Sequence, residues 1–228
     1  MPNTRSKAPS KTRKAKQPGK PRKTATADDN ASVRDRLLEV ATRLFAEQGY
    51  DGTSVDAIVD GAGVNKNMVY YYFGSKSKLY MTVFDEAYLQ LQKLELLILE
   101  DNLPIEKLIP KLVRLYFELH GKHEALTRLV LWENLARGRH LIPKEIKAVR
   151  LRVYEIIREA LESGKREGTV SEEIDDKYFM ITLIGACQIY ASNRYTLSHS
   201  LNINLRSESV LKEAEAQVIK LLVKSIRK

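Results

Sequence analysis

Residues 53–76 read TSVDAIVDGAGVNKNMVYYYFGSK, and the order of caps, glycines and apolar residues in this run decides the fold. Ser54 stands where its hydroxyl can accept a backbone N–H from the first turn of a helix reaching about Asp60. Gly61-Ala62-Gly63 then forms a tight turn, with Gly63 at the position where a left-handed backbone is needed. Asn65 can cap a second short helix that ends near Phe73, before Gly74. Two short helices, a tight turn, and Val59, Val64 and Val69 at the crossing are what a helix-turn-helix requires. Lys66, Asn67, Tyr70 and Tyr71 of the second helix are available to point outward. Lys and Asn side chains can hydrogen-bond base edges in the major groove, and tyrosine can reach a phosphate or a thymine methyl. Positions 70–73 lie about 100° apart around a helix, so the aromatic run cannot all face one way. Phe73 and one tyrosine therefore belong to the core, and Tyr70 and Tyr71 to the outward face.

Working outward, the pattern is helical nearly throughout. Val33, Leu37, Val40, Ala41, Leu44 and Phe45 repeat on one face of a helix that Gly49 should stop. Ser75 opens a long helix over 75–100, roughly 40 Å at 1.5 Å per residue. Further helices are expected over 102–120, with Pro110 inside, then 122–136, 143–163, 175–197 capped by Asp175, and 208–226. No period-2 strand pattern and no internal repeat is present. The expectation is an all-α chain of about nine helices: a helix-turn-helix domain over 31–78 and a larger helical domain over 79–228.

Charge separates a third region. Residues 1–27 hold nine Lys or Arg and no acid, so the formal net charge of +9 belongs to the tail. The remaining 29 basic and 29 acidic residues cancel. Within 28–80 acids outnumber bases eight to six, yet 65–78 carries three lysines and no acid. Four prolines and the lack of large apolar residues beyond Met1 predict that 1–30 is a disordered basic tail. Such an arm would add phosphate attraction through counterion release. No apolar stretch approaches the ~18 residues of a membrane span, no apolar leader segment is evident, and the lone Cys187 suits a reducing compartment. A cytoplasmic protein without membrane attachment is expected.

The runs Leu44-Phe45-Ala46-Glu47-Gln48-Gly49-Tyr50, Gly52-Thr53-Ser54-Val55, Gly63-Val64 and Tyr70-Tyr71-Tyr72-Phe73-Gly74-Ser75-Lys76 carry a resemblance. Over about 32–80 the chain resembles the N-terminal domain of TetR-family regulators. The resemblance implies a homodimer on double-stranded DNA that binds a near-palindromic operator and usually represses. It also implies a C-terminal pocket whose small-molecule occupant weakens DNA binding. Carried over residue by residue, Lys66, Asn67 and Tyr70 correspond to base-reading positions. Thr53, Ser54, Tyr71, Tyr72 and Lys76 correspond to phosphate contacts. The chain departs from the family pattern at Val59 and Gly61, where alanine is common, and at Met68, where threonine is. Lys78 replaces a frequent capping glutamate, and a cation in a first helical turn opposes the dipole; facing phosphate would compensate it.

In the C-terminal half, polar and aromatic interruptions of apolar helices are the pointers to a cavity. Tyr88, Tyr116, Phe117, His120, Trp132, Asn134, Cys187 and Tyr190 are the candidate lining residues, and an apolar or aromatic effector the candidate ligand. Ile181, Ile184, Ile189, Leu211, Val218 and Leu222 on the last two long helices could form a four-helix dimer seam. No cofactor, metal site or enzymatic activity is expected. His120 and His123 lack a completing ligand, and no phosphate loop, nucleophile elbow or zinc signature is present. Two rival classes are a non-specific architectural DNA binder driven by the tail and an all-helical enzyme; the composition of helix 65–73 speaks against both.

Overall fold

In the computed structural model, residues 27–99, 103–122, 124–140 and 143–228 are described. They form ten helices: α1 (Ala27–Gly52), α2 (Val55–Ala62), α3 (Asn67–Phe73), α4 (Lys76–Leu99), α5 (Ile105–Lys122), α6 (Glu124–Leu135), α7 (Pro143–Arg166), α8 (Asp176–Ser192), α9 (Arg194–Ser200) and α10 (Glu208–Ser225). No strand occurs among the described residues, only an isolated bridge between Val170 and Arg227. Nine helices were expected; the tenth arises because the single helix over 175–197 is two. At Asn193 the backbone leaves helical geometry (φ −112°, ψ 15°), and α9 restarts one residue later. Of the basic tail expected over 1–30, residues 1–26 lie outside the described residues, as does His123; residues 27–30 are a correction, since they form the first turn of α1.

Local chemistry explains the boundaries near the proposed DNA face. The Ser54 hydroxyl caps α2 by accepting the Ala57 N–H at 3.0 Å. Gly63 ends α2 in the left-handed conformation (φ 64°, ψ 39°), as the turn demands, and Val64 N–H returns to the Val59 carbonyl. Asn65 closes a side-chain turn onto the Asn67 N–H at 2.9 Å, just ahead of α3. The Ser75 hydroxyl accepts the Lys78 N–H, so α4 is capped without a glutamate at 78.

Gly49 interrupts the helical geometry of the first helix, as expected. It forms a kink in α1, with φ 71° and ψ −179°, and only a short piece to Gly52 follows it. The bend lets Trp132 of α6 lie directly against the Gly49 backbone, where an added Cβ would sit 2.9 Å from the indole ring.

Two buried clusters result. One joins α1, α2, α3 and the first turns of α4, centred on Leu37, Ala41, Phe45, Ile58, Val69, Leu79 and Tyr80, and takes in Leu129 of α6. The other joins α5, α7, α8 and α10 around Leu112, Val153, Ile157, Leu161, Leu183 and Val218. Helices α4 and α6 contribute to or border both, so they bind the small N-terminal unit to the larger one.

Candidate nucleic-acid interface

Helix α3 has two faces. Val69 and Phe73 are buried, pinning the helix to α1, α2 and α4, while Tyr70 is 49% and Tyr71 73% exposed. Asn67 is exposed beside them, and Lys66, just ahead of the helix, extends from the same end. Tyr72 is half-buried, its ring packed edge-on between those of Tyr71 and Phe73. The expected division of the aromatic run therefore holds. Lys66 is already engaged: its ammonium lies 2.8 Å from the Asp56 carboxylate of α2, which raises its pKa by hydrogen bonding and charge attraction.

The residues carried over as phosphate contacts divide. The Ser54 hydroxyl is exposed at the N-terminus of α2, an end whose free N–H groups favour anions. Thr53 is a correction. Its side chain is 1% exposed, and its hydroxyl donates to the Leu44 and Gly49 carbonyls at 3.1 and 2.8 Å. It ties off the bend in α1, so this hydroxyl has no path to a phosphate. Lys76 rests its ammonium 4.2 Å from the centre of the Tyr50 ring. Partial burial lowers its pKa, against a smaller opposing pull from Asp51.

In the larger unit, a narrow cavity of about 70 Å³ is lined by Tyr88 and Leu91 of α4, Tyr116 and His120 of α5, Thr127 and Val130 of α6, and Gln188 of α8, among others. Three of the eight candidate residues, Tyr88, Tyr116 and His120, therefore come together. Burial, then the nearby Arg194 cation, lowers the pKa of His120 to about 4, so it is neutral at pH 7. Its Nδ1 shares a 2.8 Å hydrogen bond with the Thr127 hydroxyl. The Tyr116 hydroxyl donates to Glu95, a buried acid of α4, at 2.6 Å.

The other five candidates sit elsewhere. Phe117 and Tyr190 pack against each other at the edge of the larger core. Cys187 is buried within it, its thiol pushed up to about 12 by burial and kept protonated. Asn134 bonds back to the Val130 carbonyl on the surface. Trp132 points to the N-terminal unit, its indole N–H donating to the Ala46 carbonyl at 3.2 Å.

Beside Trp132 lies a cluster that sequence reasoning missed. Glu133, buried, accepts from the Tyr80 hydroxyl at 3.1 Å and from the His140 backbone N–H at 2.7 Å. The His140 ring is 4.1 Å from that of Tyr50, and Arg139 pairs with Asp51 at 2.6 Å. Burial, then the charge of Glu133, pushes the Tyr80 phenol well above its usual range. The only sequence signal was a Trp-Glu-Asn interruption of an apolar helix.

Residues 37–82 match the family model for bacterial regulatory proteins of the tetR family. Residues 104–222, more than half of the chain, match the model for the tetracyclin repressor-like C-terminal domain. The chain belongs to the TetR family. Like its relatives, this TetR-family protein is a DNA-binding transcriptional regulator with a helix-turn-helix, and not an enzyme. It is 28% identical over 186 residues to the transcriptional repressor NicS of Pseudomonas putida, an alignment covering 81% of this chain and 88% of that one. Its fold matches a TetR-family regulator from Marinobacter aquaeolei with a TM-score of 0.69 at 15% identity, covering 89% of this chain and all of the other. It also matches the regulator FadR of Bacillus subtilis, solved with stearoyl-CoA (TM-score 0.63, 19% identity, 85% of this chain and 100% of that one). Among the described residues no helix is long and apolar enough to cross a membrane.

Proposed function

We propose that this TetR-family regulator is a cytoplasmic homodimeric repressor that reads a near-palindromic operator and is released by a small apolar or aromatic effector. The observation that carries the reading is the two-faced α3: Val69 and Phe73 anchor it while Lys66, Asn67, Tyr70 and Tyr71 stand outward. In this reading Lys66, Asn67 and Tyr70 meet base edges. Ser54, Tyr71 and Tyr72 meet phosphates, and Lys76 joins them by leaving the Tyr50 ring. The basic tail of residues 1–27 adds phosphate attraction that is blind to sequence. Two copies of α3 would occupy major-groove half-sites about one helical turn apart.

A dimer is supported by an exposed apolar stripe. On α8 and α10, Ile181 is 65% and Leu221 66% exposed, and Tyr178 and Ile189 are exposed with them. This shifts the expected seam by a face. Val218 and Leu222 are buried in the subunit's own core and Ile184 lines the cavity, so they are not available to a partner; Leu211 is only half-exposed.

Release by an effector is supported by the position of α6. Thr127 and Val130 line the cavity, and within the next turn after Val130 Trp132 and Glu133 grip α1 and Tyr80. Pockets that hold drug-sized ligands measure about 300–1,000 Å³, so an effector can enter this narrow cavity only by displacing its walls. A displaced α6 would move α1 and α4, and with them the spacing between the two α3 helices. The neutral lining, including a His120 uncharged at pH 7, favours an uncharged apolar or aromatic group. The fold neighbour FadR, crystallised with stearoyl-CoA, is a regulator of similar architecture that takes a ligand with a long apolar chain.

The test is oligomeric state coupled to operator binding. Sedimentation of the full chain is expected to give a dimer on and off DNA. Ile181→Arg with Leu221→Arg should give monomers that lose operator affinity with α3 untouched. A wild-type chain that binds its operator as a monomer would overturn the proposal.

A further inference from the structure

The Lys66–Asp56 pair poses a physical question. Both side chains are exposed, and an exposed ion pair contributes little to stability once screening and side-chain entropy are counted. Yet the acid sits in the first turn of α2, the helix that begins at the proposed phosphate contact Ser54, and it occupies a cation of the proposed reading surface. On a face that meets phosphates, an outward carboxylate costs affinity for every DNA sequence. It is useful only where that cost is unequal between sequences.

We propose that Asp56 is a specificity-determining positioning residue, which holds the Lys66 ammonium so that it is released only to a well-placed base acceptor pair. The inference rests on the reading of Lys66 as a base-contacting residue. On random DNA, Lys66 meets phosphates that other lysines also serve, and leaving Asp56 gains it little. At an operator presenting the O6 and N7 acceptors of a guanine, the ammonium donates two hydrogen bonds in place of the one it donated to the carboxylate. At mismatched sites Lys66 stays with Asp56 and adds no phosphate contact, so the pair withholds affinity from wrong sequences more than it rewards the right one. The Asp56 carboxylate also restricts the rotamers of a long flexible side chain, keeping the head at the groove-facing end of α3.

The experiment compares full-length wild type, Asp56→Asn, Asp56→Glu, Lys66→Ala and the double variant Asp56→Asn/Lys66→Ala. The probes are the duplex enriched by the wild-type chain from a random pool and a shuffled duplex of the same composition. Asp56→Asn should bind the shuffled duplex more tightly and steepen its salt slope by about 1, the increment of one further phosphate contact. The ratio of operator to shuffled affinity should fall by about tenfold, the size of one base discrimination. Asp56→Glu, which keeps the charge within reach of Lys66, should restore most of the ratio. In the Lys66→Ala background, Asp56→Asn should leave the ratio unchanged. Thermal midpoints of all variants register any loss of the favourable acid–dipole interaction at the start of α2, which persists without Lys66. A ratio unaltered by Asp56→Asn overturns the inference. So does an equal drop in the Lys66→Ala background, which would make Asp56 a general repulsive charge or a helix-end residue. If Lys66→Ala itself leaves the enriched sequence unchanged, it is the reading of Lys66 that fails.

Discussion

Gly49→Ala tests the junction between the DNA-binding unit and the larger domain. Gly49 has φ 71° and ψ −179°, a region that essentially only glycine occupies and that costs a side-chain-bearing residue about 1–3 kcal/mol. Its missing Cβ is also aimed at the indole ring of Trp132, 2.9 Å from Cδ2 and Cε3. The indole cannot swing aside without breaking its hydrogen bond to the Ala46 carbonyl. Overpacking of this kind costs typically about 1–3 kcal/mol. The combined expectation is a loss of about 3 kcal/mol, a large share of the ~5–15 kcal/mol that holds a domain together. For a chain of this size that is a fall of ~6–12 °C in thermal midpoint. Urea and thermal unfolding of Gly49→Ala measure it. Repeating the substitution in a Trp132→Ala background separates the terms: the steric part should vanish there and the backbone part remain, so the cost should shrink by about 1–2 kcal/mol. A loss under about 0.5 kcal/mol, or the same loss in both backgrounds, would refute the packing of α6 on the α1 bend.

Other expectations follow from particular groups. Thr53→Val should cost about 1–3 kcal/mol by leaving the Leu44 and Gly49 carbonyls without their donor, with base preference unaltered; unchanged stability with weaker DNA binding would instead make Thr53 a phosphate contact. His120 is held neutral, with its pKa lowered from 6.5 to about 4, so between those values the unfolded chain binds the extra proton and acid destabilises the fold. Stability should therefore fall as pH drops from 6.5 towards 4, with His120→Gln removing up to about 1.4 kcal/mol per pH unit of that dependence; identical pH profiles for both proteins would contradict it. Replacing the nine basic residues of 1–27 by glutamine should flatten the salt dependence of DNA binding by about 0.9 for each phosphate that the tail no longer neutralises and leave the selected sequence the same; an unaltered slope would mean the tail makes no phosphate contacts.

The helix-turn-helix was legible because its determinants are local. Ser54, Gly63 and Asn65 act within four residues of themselves, and Val59, Val64 and Val69 pack into one cluster where the two helices cross. What depended on tertiary placement was not legible. Thr53 has the residue type of a phosphate contact, and only the bend at Gly49 turns its hydroxyl inward. Trp132 shares a helix with the cavity residues Thr127 and Val130 but lies about 200° around from Val130, so it reaches α1 instead. Similarly, Ile184 and Gln188 of α8 line the cavity, whereas Met180, Leu183 and Cys187 turn into the core. On α10, Val218 and Leu222 take the inward face with Ala214 and leave Leu221 outside. In each case the periodicity gave a face, but no sequence signal said which neighbour that face would meet. The break at Asn193 was hidden because no glycine or proline marks it.

The central claim is that α3 reads bases, and selection of bound duplexes from a random pool tests it most directly, with the full chain run beside Lys66→Ala and Tyr70→Ala. The account predicts that the intact protein enriches a near-palindrome with half-sites about one helical turn apart, and that each substitution relaxes or abolishes that preference. No enrichment by the intact chain, or the same palindrome enriched by both variants, would contradict it.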